Sequence, residues 1–161
     1  MIRAAVITVS DSAHQGTRED LSGPAVAARL QDKGFEIAGR LVIPDEREEI
    51  ARSLRQLAER GSAQVVFTTG GTGIAPRDVT PEATRDVIDR EIPGIGELMR
   101  SKGLASTPYS ALSRGLAGTK NGVLIINLPG STRGAVESVD AILELVPHVL
   151  DLINGRTGHT P

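Results

Sequence analysis

The chain of 161 residues is 39% apolar and 24% charged with a formal net charge of −2, a balance that fits one folded domain and excludes a disordered or membrane-embedded protein. It has no cysteine, which excludes a disulfide framework, a thiolate metal site and thiol catalysis. The absence of a basic run, together with only Phe35, Phe67 and Tyr109 as aromatic residues, excludes the charge footprint and the stacking platform of a nucleic-acid binder.

The amino terminus passes directly into a strand pattern, with no apolar stretch of signal-peptide or membrane-span length, so a cytoplasmic location is expected. Ile2 to Val9 is a short run rich in β-branched residues and predicts a buried strand bounded by Ser10 and Asp11. From Ser22 and Pro24 to Lys33 the period becomes helical, with Gly34 as the stop. Phe35 to Ile43 predicts a second strand ending at Pro44. Asp45 and Glu48 have capping-box spacing ahead of the stripe Ile50, Leu54, Leu57 and Ala58, which runs to Gly61.

Ala63 to Thr69 predicts a third buried strand that feeds the glycine segment 70–73. Thr80 and Pro81 read as the N-cap and first position of a helix through Asp89, and a further helix is expected over Ile95 to Lys102. Residues 103–120 carry no clear pattern, but Asn121-Gly122 ahead of Val123 to Leu128 is a two-residue hairpin signal. After Pro129-Gly130-Ser131, one long helix carries Val136, Val139, Ile142, Val146, Leu150 and Ile153 to Gly155, with Pro147 as a point of bending. Alternating strands and helices predict one three-layer α/β/α domain over residues 1–155, with a mostly parallel sheet and one antiparallel pairing at the Asn-Gly turn. Residues 156–161 read as a flexible tail.

Right-handed crossovers align the carboxyl ends of parallel strands, where open sheets bind their ligands. Four such ends deliver Ser10-Asp11, Asp45, Gly70 to Asp78, and Pro129-Gly130-Ser131 to one edge. The segment Thr69, Gly70, Gly71, Thr72, Gly73 can bring backbone N–H groups close to a phosphate, since glycine admits left-handed dihedrals and no side chain blocks the approach. It is neither a Walker loop, because no Gly-Lys-Ser/Thr follows, nor a dinucleotide fingerprint, because Pro76 takes the place of the third glycine. A cation held by Asp45 and Asp78 can replace the missing lysine, since Mg²⁺ binds through one or two carboxylates plus substrate phosphates. Asp45 reads equally as a helix N-cap and Asp78 as a turn residue, roles compatible with metal binding. Ser131 is expected to cap the last helix and so to add a second anion site. His14, His148 and His159 lack metal-ligand spacing, and no Ser-His-Asp arrangement is present to argue for hydrolysis.

Thr68 to Thr84 (TTGGTGIAPRDVTPEAT) resembles the signature of molybdenum-cofactor biosynthesis proteins of the MogA/MoaB type. The likeness extends through VSDS (Val9 to Ser12), IPDE (Ile43 to Glu46), IPGIGELMR (Ile92 to Arg100), LSRG (Leu112 to Gly115) and IINLPGS (Ile125 to Ser131). The resemblance implies transfer of AMP from ATP, with Mg²⁺ as cofactor, to the terminal phosphate of molybdopterin. It implies Asp45 and Asp78 as catalytic metal ligands, residues 69–73 as the nucleotide phosphate site, and Ser10, Ser113, Arg114, Pro129, Gly130 and Ser131 as the pterin pocket. It also implies a homotrimer and a possible molybdate-inserting partner protein. The alternatives are a protein of the same family that binds or carries molybdopterin without catalysis, and a structural module of this fold whose glycine loop only turns the chain.

Overall fold

The aliphatic runs become strands β1 (Arg3–Val9), β2 (Glu36–Ile43), β3 (Val65–Thr69), β4 (Arg90–Glu91), β5 (Ala117–Lys120) and β6 (Val123–Leu128) in the computed structural model, which describes residues 1–158. They form one sheet in the order β2-β1-β3-β6-β5-β4. β1 pairs in parallel with β2 and β3, and β3 with β6. The hairpin at Asn121-Gly122, both with positive φ, sets β5 antiparallel to β6, and β5 also pairs antiparallel with the two-residue β4. The crossovers are helices α1 (Asp11–Gln15), α2 (Ser22–Asp32), α3 (Arg47–Arg60), α4 (Thr80–Arg85) and α5 (Pro93–Gly103), followed after β6 by α6 (Thr132–Ile142) and α7 (Val146–Ile153).

Strand alternation sorts the core into two layers. On one face, Ala4, Val6, Val65, Phe67, Leu124 and Ile126 pack against Val26 and Leu30 of α2, Ile95 and Met99 of α5, Val139 and Ile142 of α6, and Leu150 of α7. On the other, Ala5, Ile7, Val9, Val66 and Ile125 pack against Ile50, Ala51, Leu54 and Ala58 of α3 and Ala83 of α4. A polar network ties the centre of the sheet to α4: Asn127 Nδ2 donates to the hydroxyls of Thr68 (3.1 Å) and Thr84 (3.0 Å), while its Oδ1 accepts the Leu116 N–H (3.3 Å). These groups are buried, so their mutual bonding avoids the penalty of unpaired polar atoms. Among the described residues no helix is long and apolar enough to cross a membrane.

The boundaries differ from the sequence expectations where tertiary bonds compete with local ones. Asp45 is not the N-cap of α3; that position is the extended Glu46, without a side-chain cap bond, because the Asp45 carboxylate is taken by the Asp11 N–H. Thr80 is the first helical residue of α4 rather than its cap, and its hydroxyl donates to the Gly70 carbonyl (2.9 Å). α4 stops at Arg85 rather than Asp89, since Asp89 N–H turns into the sheet to bond the Thr119 carbonyl (2.8 Å). The expected long final helix is two helices separated by a 3₁₀ turn at Leu143–Leu145, because Pro147 has no N–H to donate and its ring crowds the carbonyl four residues earlier. The short α1 carried no strong sequence signal; Ser10 caps it by accepting the Ala13 N–H (3.2 Å). Of the expected tail, Arg156 is tied to Asp151 by an ion pair (2.9 Å), and residues 159–161 lie outside the described residues.

Phe67 is fully buried in the central strand β3. Phe67→Ala is expected to lower unfolding stability by about 3–5 kcal/mol, the usual cost of a large-to-small change in a packed core, as read from the urea midpoint.

Candidate active site

The carboxyl ends of β1, β2, β3 and β6 open onto a polar cleft of about 560 Å³. Ser10, Asp45, Thr69, Gly70, Gly71, Asp78, Gly130 and Ser131 all line it, so four separate chain segments meet as the topology demands. Gly70 and Gly71 hold positive φ (101° and 70°). A β-carbon on Gly70 would overlap the Val9 carbonyl oxygen, and one on Gly71 would overlap the Thr80 hydroxyl, so both turns require glycine sterically as well as conformationally. Ser131 caps α6 as expected, accepting the Gly134 N–H (3.1 Å), and sets the helix N-terminus at the cleft wall beside Thr132.

Asp45 and Asp11 clasp each other. Asp11 N–H donates to Asp45 Oδ2 and Asp45 N–H donates to Asp11 Oδ1, both at 2.9 Å. The remaining Asp45 oxygen, Oδ1, accepts no hydrogen bond. Burial, and then the negative charges of Asp11 and Asp78, push the Asp45 carboxyl above the usual carboxylate range, against the opposing pull of the Asp11 backbone N–H and Arg77. Asp78 also serves as a turn residue: its Oδ2 accepts the Ala75 N–H (2.9 Å), while Oδ1 is unbonded. Each aspartate therefore presents one free oxygen at the cleft. Among the described residues no group of three or more His, Asp or Glu side chains could enclose a metal. Two carboxylates beside a glycine turn instead match the donor set of Mg²⁺, which completes its shell with water and substrate phosphates.

The other expected site residues divide. Ser113 and Pro129 line a neighbouring, more apolar chamber of about 140 Å³ with Met99 and Tyr109, and Ser131 borders both spaces. Thr72, which is buried, and Gly73 do not line the cleft wall; Ser113 Oγ stands 3.5 Å from Thr72 Oγ1, long for a hydroxyl bond. Arg114 lines neither space. Its Nε donates to the Gly73 carbonyl (2.8 Å), its Nη2 to the Asp78 carbonyl (2.8 Å), and its Nη1 to Glu82 (2.6 Å), which holds the Glu82 carboxyl below its ordinary range. The guanidinium thus braces the glycine loop.

Among the cleft residues that the sequence did not single out are Arg18 and Asp20. Arg18 is the only lysine or arginine on the cleft wall among the described residues, and its side chain has no partner. Asp20 accepts the Thr8 hydroxyl (2.9 Å) and the Gly23 N–H (3.0 Å), anchoring the start of α2 to the end of β1. An acid three residues ahead of Gly23 was the available signal for the second bond; nothing in the sequence marks Arg18.

Residues 5–148 match a family described as "Probable molybdopterin binding domain". The chain is 42% identical over 158 residues to a molybdopterin adenylyltransferase of Helicobacter pylori, covering 96% of this chain and 89% of that protein. It is 41% identical over 150 residues to the molybdenum cofactor synthesis protein cinnamon of Drosophila melanogaster, of whose length it spans 25%. Among solved structures, the molybdopterin biosynthesis enzyme MoaB of Thermus thermophilus superposes with a TM-score of 0.90 at 48% identity, over 96% of this chain and 98% of that one. The molybdopterin biosynthesis Mog protein of Mycobacterium ulcerans gives 0.88 at 37%, over 95% and 99%.

The raised Asp45 carboxyl has a consequence for stability. A carboxyl whose folded value exceeds its unfolded one supports the fold fully below the unfolded value and loses that support as pH rises through the folded one. Ligand-free Asp45→Asn is therefore expected to melt at a higher temperature than the wild type at neutral pH, with the gap closing as pH falls through the acid range. Melting curves across that range check it; equal melting temperatures at neutral pH would show that the cleft imposes no cost on the Asp45 charge.

Proposed function

The chain belongs to the molybdopterin-binding domain family of molybdenum-cofactor biosynthesis, and from that premise we propose that it is a molybdopterin adenylyltransferase. In the proposed reaction an oxygen of the molybdopterin terminal phosphate attacks the α-phosphorus of ATP. The bond from that phosphorus to the β-phosphate oxygen breaks, and pyrophosphate leaves. The observation that carries the reading is the meeting of two free carboxylate oxygens, on Asp45 and Asp78, with a glycine turn and a helix N-terminus in one cleft.

The attacking group is already an anion, so the site needs no histidine or cysteine base, and catalysis rests on positioning and charge neutralisation. Backbone N–H groups at Gly71 and at the start of α6 hold phosphate oxygens, while the Gly70 N–H is engaged by the Leu128 carbonyl. Asp45 and Asp78 hold Mg²⁺, which when bound offsets the charge on the α-phosphate. Arg18 meets the departing pyrophosphate. The chamber between Met99, Tyr109 and Pro129 takes the planar pterin, with Ser131 at the passage to the cleft. A cytoplasmic homotrimer of single domains, passing its product to a molybdate-inserting partner, completes the reading; its support is the resemblance set out above.

The test is a mass-resolved reaction of the purified protein with molybdopterin, ATP and Mg²⁺. Adenylylated pterin and pyrophosphate are expected from the wild type, and turnover in Asp78→Asn is expected to fall by about a hundredfold or more, the scale of losing one transition-state stabilising group. Binding of molybdopterin without product would replace the transferase with the carrier reading. In the same assay Arg18→Ala is expected to raise the KM for ATP about tenfold or more, as for the loss of a charge-assisted hydrogen bond worth about 1.5–3 kcal/mol, while the KM for molybdopterin stays unchanged.

A further inference from the structure

Arg77 precedes Asp78 on the glycine loop, yet its side chain reaches away from that loop. Nε donates to Asp11 Oδ2 (2.9 Å) and Nη2 to Asp11 Oδ1 (3.0 Å), a two-pronged contact, and Nη2 also meets Glu46 Oε1 (3.0 Å). Asp11 follows β1 and Glu46 follows β2, so one guanidinium ties together three strand ends. Asp11 in turn grips Asp45 in both directions. Its N–H occupies Asp45 Oδ2 and fixes the rotation of that carboxylate, leaving Oδ1 as the oxygen presented to the cleft. The chain of contacts thus runs from Asp45 through Asp11 to Arg77, the residue next to Asp78, and sets the spacing of two carboxylates that stand on different loops.

We infer that Asp11 and Arg77 are positioning residues for the divalent-cation site, holding the carboxylates of Asp45 and Asp78 in register across the cleft. The inference rests on the proposed reading of that site. A two-pronged grip needs the planar fork of arginine, which a lysine cannot reproduce. Arg77 and Asp11 are 55% and 32% exposed at the side chain, and ion pairs this open to water contribute little to global stability. Their effect therefore falls on the metal site and leaves the melting temperature nearly alone, which separates positioning from a merely structural role.

The experiment titrates free Mg²⁺ against the full chain in saturating ATP, by calorimetry and by the shift in melting temperature, for the wild type, Arg77→Lys, Asp11→Asn and the double variant. Each single variant is expected to need about ten- to a hundredfold more Mg²⁺ for the half-maximal response, the range seen when groups that orient metal ligands are removed. Ligand-free melting is expected to stay within about two degrees of the wild type. The double variant is expected to be no worse than the weaker single one, since both break the same link. Unchanged Mg²⁺ dependence in a set whose wild type responds would overturn the inference alone, as would a loss that only tracks a fall in ligand-free melting temperature. A wild type that ignores Mg²⁺ would overturn the metal reading and this inference with it.

Discussion

At the carboxyl edge of the sheet, three strand ends approach so closely that side chains are excluded from between them. A β-carbon on Gly70 would collide with the carbonyl ending β1, and one on Gly130 would stand 3.3 Å from the Gly70 α-carbon. Gly70 N–H bonds the Leu128 carbonyl (3.2 Å), the Thr69 hydroxyl bonds the Pro129 carbonyl (2.8 Å), and the Thr80 hydroxyl bonds the Gly70 carbonyl (2.9 Å). This close contact fixes where the glycine loop leaves the sheet and where α6 begins. The cleft and the directions of its backbone donors follow from it.

The cleft so formed is acidic: Glu19, Asp20, Asp45 and Asp78 face a single arginine. Bare, such a wall repels the phosphates that the proposed reaction brings to it. Asp20 is quieted by two hydrogen bonds, but Asp45 is partly buried among like charges and its ionised form is disfavoured there. Like charges held at close range, which Arg77 offsets only in part, are a cost the fold bears at a functional site. In the proposed reaction a divalent cation shared with the substrate removes that cost and the substrate's repulsion together, so the acidic wall and the anionic substrates are compatible only as a set.

Much of this was legible in the sequence because it depends on local patterning. The buried strands read as unbroken aliphatic runs, α3 as a four-residue stripe, and the Asn-Gly hairpin from two residues. Topology then predicts that Ser10, Asp45, Gly70, Asp78 and Ser131 share an edge, and they do. What sequence could not resolve is competition between local and distant partners. Asp45 has the spacing of a cap but bonds Asp11, 34 residues away. Thr80 likewise has the form of a cap but serves the Gly70 carbonyl. Arg114 has the charge of a phosphate ligand, yet its donors serve Gly73, Asp78 and Glu82. In each case the residue type named the donors and acceptors available, and only the fold decided which of them were already taken.

That allocation bears on how the site can work. The loop from Gly70 to Asp78 is a surface segment that could have been left to order around a ligand, with the entropy loss that ordering entails. Instead it is bonded from several sides: by Thr80 at Gly70, by the Arg114 backbone N–H at the Thr72 carbonyl (2.8 Å), by the Arg114 side chain at Gly73 and Asp78, and by its own Ala75 to Asp78 turn. Donors and carboxylates are therefore in place before any phosphate arrives. A reaction whose nucleophile is already ionised asks little of an enzyme except that placement, since fixed dipoles and charges need no reorganisation as the transferring phosphoryl group passes between oxygens. The bonds that Arg114 makes to Gly73 and Asp78 are, on this view, what lets a cleft lined by neither histidine nor cysteine suffice.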